Sequence, residues 1–230
     1  MQVKKITGSG LTAFLAIALF AFVSTGSAQE ASKTDGAADA NASEVEVVLE
    51  DQGAAQLADL EGQAKKGDVS AQVRLGIAYA EGIVVQKDSK RAADWLTKAA
   101  RQGNVLAQSM LADKYYNGRG VKQNYAEAAK WAQKGAAAGN PEAQMILANL
   151  YKKGLGVKQN YAKAVELYKK SAEAGETFSM YSLGLMYEEG LGVEKNREQA
   201  IEWYTKAAEK DNTLALERLA KILGETESCE

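Results

Sequence analysis

Apolar positions return along this chain every 36 residues, from Ala71 to Asp211, and between them the polar positions vary. Leu75, Leu111, Leu147 and Leu183 form one column, and Tyr79, Tyr115, Tyr151 and Tyr187 a second. Gly82, Gly118, Gly154 and Gly190 follow the tyrosines at a constant offset. Trp95, Trp131 and Trp203 share a column with Leu167, and Ala92, Ala128, Ala164 and Ala200 make another. No insertion breaks the register over four copies, and self-similarity at a fixed period in this range marks a solenoid.

Each copy predicts two helices. In the second copy Ala107, Leu111 and Tyr115 fall on one stripe of a 3.6-residue helix, and Ala128, Trp131, Ala132, Gly135 and Ala136 on another. The joint reads Tyr-x-x-Gly-x-Gly-Val-x-x-Asn. Gly118 is placed to end the first helix in a left-handed conformation, and Gly120 to let the chain reverse. Asn124 is placed to cap the second helix, with Glu127 completing a capping box; Asp88, Asn160 and Asn196 are its counterparts. Asn140 and Pro141 open the next copy as cap and first-turn proline. Three departures stand out: Val84 in place of the second glycine, Ser179 in place of alanine, and Asp211 in place of the closing glycine. The first predicts a differently shaped first joint.

The pattern Ala-x-x-x-Leu-Gly-x-x-Tyr-x-x-Gly-x-Gly-Val-x-x-Asp/Asn-x-x-x-Ala-x-x-Trp-Tyr-x-Lys-Ala-Ala-x-x-Gly resembles the Sel1-like repeat, a relative of the tetratricopeptide repeat. The resemblance implies an all-α fold, a right-handed α-solenoid of helix-turn-helix repeats. It divides the chain into a half-repeat helix at 52–70, repeats at 71–106, 107–142, 143–178 and 179–214, a closing helix at 215–224 and a tail at 225–230. Ala215, Leu219, Ala220 and Leu223 sit in the expected columns of that closing helix.

Ahead of the repeats, Lys4 and Lys5, an apolar run from Leu11 to Val23 and the small residues to Ala28 have the layout of a cleavable secretory signal. The run is too short for a permanent bilayer anchor. Cleavage after Ala28 is expected, and with it a periplasmic or secreted location. Residues 29–51 hold few bulky side chains and predict a disordered spacer. The chain carries a net charge of −2, and taking off a leader with two lysines and no acidic residue leaves −4. That balance lacks the basic footprint of a nucleic-acid binder. Cys229, the single cysteine, can pair only with another chain.

Catalytic chemistry is poorly supplied. The sequence has no histidine, which removes Ser-His and Cys-His nucleophile pairs and most zinc sites. It has no Ser-x-x-Lys, the acylating arrangement of penicillin-recognising enzymes, although some Sel1-like proteins are discussed as β-lactamases. Gly62 to Gly67 has phosphate-loop spacing, but Asp68 stands where lysine is required. The reading is therefore of no enzyme, no catalytic residue, no cofactor and no metal. The lysine column Lys98, Lys134, Lys170 and Lys206 reads as helix-end complement to the dipole, and the Tyr and Trp columns as core seams.

By similarity to tetratricopeptide arrays, a second stripe on each first helix should line a concave face. Its members are Val73, Ile77, Ala80 and Glu81; Ser109, Asp113, Tyr116 and Asn117; Met145, Asn149, Lys152 and Lys153; and Tyr181, Leu185, Glu188 and Glu189. These vary while the core columns repeat, as expected of a face built to present itself. The expectation is a non-catalytic scaffold of the bacterial envelope or extracellular space that binds a protein or peptide there. An envelope hydrolase and a self-assembling subunit are the alternatives.

Overall fold

A computed structural model describes residues 55–227, and all regular secondary structure among them is helical. The expected leader, spacer and Cys229 lie outside the described residues. Residues 55–65 form α1. Then come α2 (Val69–Glu81), α3 (Ser89–Arg101), α4 (Val105–Asn117), α5 (Tyr125–Ala137), α6 (Pro141–Lys153), α7 (Tyr161–Glu173), α8 (Thr177–Glu189), α9 (Arg197–Ala208) and α10 (Thr213–Glu227).

The helix ends follow the sequence. Gly82, Gly118, Gly154 and Gly190 stand at φ of 77°, 71°, 68° and 73°, each returning its N–H to the carbonyl four residues back. Asn124 Oδ1 accepts from the N–H groups of Ala126 and Glu127, both at 3.1 Å, and Asp88, Asn160 and Asn196 cap their helices in the same way. The capping box does not form. The Asn124 N–H donates instead to the Tyr115 carbonyl at 2.9 Å, and Glu127 turns to Lys130 at 3.3 Å. The bond recurs at all four joints, from Asp88 to Tyr79, Asn160 to Tyr151 and Asn196 to Tyr187. Part of what the tyrosine column fixes is thus its backbone carbonyl, which ties the end of the first helix to the start of the second.

The first joint keeps the shape of the others, contrary to expectation. Val84 sits at φ 65°, beside 78°, 67° and 73° for Gly120, Gly156 and Gly192. A β-branched residue in this region is strained, and Val84 holds this conformation with its side chain exposed. Gly156 and Gly192 have no room for a side chain. A Cβ on Gly156 would lie 2.3 Å from the carbonyl carbon of Tyr125, and one on Gly192 would lie 2.4 Å from that of Tyr161. Gly156 and Gly192 therefore let the third and fourth joints press against the opening of the preceding repeat's second helix.

Contacts group the chain into two compact units, one through Trp95 and one from Leu96 onward, with α3 contributing to both. The first has Leu60, Ala64, Ala71, Leu75, Tyr79 and Ala92 at its centre, with Leu57, Val85 and Trp95 packed around them. In the second, α4 pairs with α5, α6 with α7 and α8 with α9, and each of α5, α7 and α9 also packs on the helix that follows it. α4 meets α6 directly. This is an α-solenoid, each hairpin burying its apolar stripes against its neighbours.

Two small-residue columns govern the stacking. A Cβ on Gly135 would lie 2.7 Å from the Ala143 Cβ, so α5 and α6 approach as closely as their backbones allow. One repeat later the same positions are Ser171 and Ser179, both fully buried. Ser179 Oγ donates to Ser171 Oγ at 2.7 Å, and Ser171 Oγ donates to the Pro141 carbonyl at 2.8 Å. The departure at Ser179 is thus half of a buried pair, each hydroxyl partnering the other. Buried Gln72, Gln108 and Gln144 form a further column, each donating to the carbonyl eight residues earlier, on Ala64, Ala100 and Ala136.

The aromatic columns are less uniform than a core seam. Tyr79 and Trp131 are buried, whereas Tyr115, Tyr151, Tyr187, Trp95 and Trp203 are half-buried. The completely enclosed aromatics are Tyr168 and Tyr204, one residue past the tryptophan column. In α10, Ala215 is enclosed, while Ala220 and Leu223 are exposed because no second helix follows within the described residues.

Candidate interaction face

The expected face falls into three tiers along each first helix. The first tier is inside the protein. Val73 is 7% exposed and Ser109 0%, so neither lines a surface. Met145 and Tyr181 are half-buried against the core of the second unit. Helix geometry explains this, since the last turn of α5 crosses the first turns of α4 and α6, with Gly135 beside Gln108, Ser109 and Ala143. Ser109 donates its hydroxyl to Glu142 Oε2 across the same crossing, at 2.6 Å.

The second tier, Ile77, Asp113, Asn149 and Leu185, is half-buried. Asn149 Oδ1 accepts from the Tyr168 hydroxyl at 2.6 Å, and Leu185 packs against the core. Asp113 accepts from Asn117 at 2.6 Å and faces Arg119 at 3.7 Å.

The third tier is the open one. Glu81, Asn117, Lys153 and Glu189 are exposed, and Ala80, Tyr116, Lys152 and Glu188 half-buried. Glu81 and Ile77 belong to the first unit. In the second, the last turns of α4, α6 and α8 carry Tyr116 and Asn117, Lys152 and Lys153, and Glu188 and Glu189. Lys153 Nζ donates to the Tyr116 hydroxyl at 3.2 Å. Tyr116 itself packs edge-on to Tyr125, ring centroids 5.6 Å apart.

The two charged pairs differ more than their formal signs. Glu188 accepts both Nε and Nη2 of Arg218 at 2.9 and 2.7 Å, and the Tyr204 hydroxyl at 2.6 Å. Burial works against its charge, but the bonds from Arg218 and Tyr204 outweigh it and hold the carboxyl below its usual range. Glu188 is therefore already satisfied from within. Lys152 has no carboxylate within ion-pair distance among the described residues; its ammonium lies 5.7 Å from the centre of the Tyr168 ring. Burial, and then the neighbouring Lys153, push its pKa down, with Glu189 opposing. Burial also pushes the Tyr168 hydroxyl up.

The lysine column does not form a ligand ladder. Lys170 pairs with Glu166 at 2.7 Å and Lys206 with Glu202 at 2.6 Å, while Lys134 and Lys206 lie over the rings of Trp131 and Trp203 at 4.6 and 4.4 Å. In the first unit, a cavity of 580 Å³ is lined by Leu57, Glu61, Tyr79, Val85, Gln86, Lys87, Asp88 and Arg91. Three of its polar groups engage one another: Tyr79 donates to Glu61 at 3.2 Å and accepts from Arg91 at 3.2 Å. Among the described residues no acidic, cysteine or histidine cluster could hold a metal ion, and no helix is long and apolar enough to cross a membrane.

Sequence reasoning missed Tyr168 and Tyr204, whose hydroxyls reach the first-helix face from the layer behind it. The available signal was the Trp-Tyr pairing in the repeat pattern. It also missed Arg218, for which no repeat column gives a warning.

Comparison with known proteins agrees with this architecture. The Sel1 repeat family matches residues 69–104, 105–140, 141–176 and 177–212. Among solved structures, the chain is similar to a protective antigen present in uropathogenic Escherichia coli strains displaying an SLR fold, with 38% identity and a TM-score of 0.69 over 74% of this chain and 36% of that one. It is also similar to a Sel1 repeat protein from Oxalobacter formigenes, with 35% identity and a TM-score of 0.63 over 67% of this chain and 63% of that one. The chain thus spans about a third of the length of the first and just under two thirds of the second. No curated protein matches it. Sel1-repeat proteins generally mediate protein–protein interactions and are typically non-catalytic scaffolds. With four matched repeats over more than half its length, this chain belongs to the Sel1 repeat family.

Proposed function

We propose that this protein is a non-catalytic adaptor of the bacterial envelope or extracellular space that captures a partner polypeptide on the last turns of α4, α6 and α8. The observation that carries the reading is the division of labour along the first helices. The enclosed leucine and alanine columns repeat, and the open positions change from Tyr116 and Asn117 to Lys152 and Lys153 to Glu188 and Glu189. The leader-like residues 1–28 support a periplasmic or secreted location.

A photo-crosslinking amino acid at Asn117, Lys153 or Glu189, with another at Gln133 on the exposed side of α5 as control, tests the site. The three face positions should yield the same partner adduct in envelope extract, and Gln133 should not. Equal labelling from Gln133 would contradict the assignment, and turnover of β-lactam or peptidoglycan by purified protein would return the hydrolase alternative.

A further inference from the structure

Adjacent repeats of the second unit build the same slot with opposite contents. In the last repeat an enclosed tyrosine, Tyr204, meets a carboxylate, Glu188, and the next first-type helix supplies Arg218 as its counter-ion. In the repeat before it, Tyr168 occupies the place of Tyr204, Asn149 that of Leu185, and Lys152 that of Glu188. The position in α8 equivalent to Arg218 is Ser182, which is buried and uncharged. Lys152 and Lys153 therefore bring two positive charges to a slot where, among the described residues, no carboxylate lies within ion-pair distance and Glu189 acts on Lys152 only from farther off.

The neighbouring polar groups already accept bonds from within the chain. Asn149 Oδ1 is taken by Tyr168, leaving its amide hydrogens, and the Tyr116 oxygen is taken by Lys153, leaving its hydroxyl hydrogen. With the two ammonium groups, these hydrogens offer a visitor an array of donors. We infer that Tyr116, Asn149, Lys152 and Lys153 form a carboxylate-binding slot for adjacent acidic side chains of the partner polypeptide. This rests on the protein-binding reading above. Two lysines match two carboxylates, whereas a chain terminus offers one, and a chain of net charge −2 is poorly suited to an anionic membrane. The half-buried position of Lys152 makes its charge costly while unpaired, so pairing brings a larger gain there than on an open surface.

The test titrates the full chain into three fluorescein-labelled peptides of one sequence, which carry Glu-Glu with an amidated end, Gln-Gln with an amidated end, or Gln-Gln with a free carboxyl end. The Glu-Glu peptide should bind at least about tenfold more tightly than its amidated Gln-Gln counterpart, with a preference that shrinks as salt rises. The double variant Lys152→Gln, Lys153→Gln should erase the preference while keeping its circular dichroism. Lys130→Gln, on the exposed side of α5, should keep it. Equal binding of the Glu-Glu and Gln-Gln peptides overturns the slot, as does failure of all three to bind. Binding of the free-carboxyl peptide as tight as that of Glu-Glu reassigns the donors to a chain terminus and overturns the acidic-segment claim. None of these outcomes alters the crosslinking result, which tests the face itself.

Discussion

Replacing Gly154 and Gly156 by alanine, one at a time, separates two reasons for a glycine in the same joint. Both have left-handed backbones, at φ 68° and 67°. An alanine there costs about 1–2 kcal/mol in conformational energy, of which about 0.5–1 kcal/mol is offset by the reduced freedom of the unfolded chain. For Gly154 little is added, since its Cβ would meet the Gln159 Cβ at 3.1 Å, an overlap that a few tenths of an ångström relieves. A loss near 1 kcal/mol is expected. For Gly156 the Cβ would lie 2.3 to 2.6 Å from the Tyr125 carbonyl and the Ala126 nitrogen, all backbone of the preceding repeat. Relieving that overlap moves one repeat against the next and adds about 1–3 kcal/mol or more, for a total of about 2–4 kcal/mol. Urea unfolding followed by circular dichroism, with the wild-type slope shared between variants, measures the difference. Equal losses at the two positions would refute the claim that the second glycine is fixed by stacking.

Other consequences are as direct. Trp131→Ala, which empties a buried site, should cost about 3–5 kcal/mol in the same assay. Val84→Gly should raise the thermal midpoint, relieving a strain of about 1 kcal/mol or more at φ 65°; an unchanged or lower midpoint would count against it. Because the Glu188 carboxyl is held below its usual range, its contribution is present above the unfolded pKa near 4.5 and is lost as pH falls through the lower folded value. Glu188→Gln should therefore lose less stability than wild type on acidification below about pH 4.5, and parallel acid limbs would refute the pairing with Arg218. Lys152→Gln with Lys153→Gln should stay within about 0.5 kcal/mol of wild type in folding stability, measured by urea, while weakening partner capture.

The period made most of the fold legible. Gly118 and Asn124 announce a helix end and a helix start by chemistry that acts within a few residues, so their roles survive transfer from sequence to structure. The face was less legible. A 3.6-residue stripe names which side chains share a side of a helix, but not how far along the helix that side is covered. Val73 and Ser109 lie on the predicted stripe and are enclosed, Ser109 at the turn that α5 crosses. Glu188 shows the other limit. Its sequence neighbour Glu189 made it look like half of an acidic pair, whereas Arg218, thirty residues on, absorbs its charge. Such pairing depends on which residue the following helix brings to the spot, and no periodic column records it. Ser179 stands in the sequence as a departure from the alanine column, and only the structure shows it paired with Ser171, eight residues earlier.

Hydrogen exchange on the full chain, alone and in complex with its crosslinked partner, addresses the central claim most directly. Protection gained at the last turns of α4, α6 and α8, with α5 and α7 unchanged, is the predicted result. Protection confined to α5, α7 or the exposed face of α10, with those three turns exchanging as in the free protein, would contradict it.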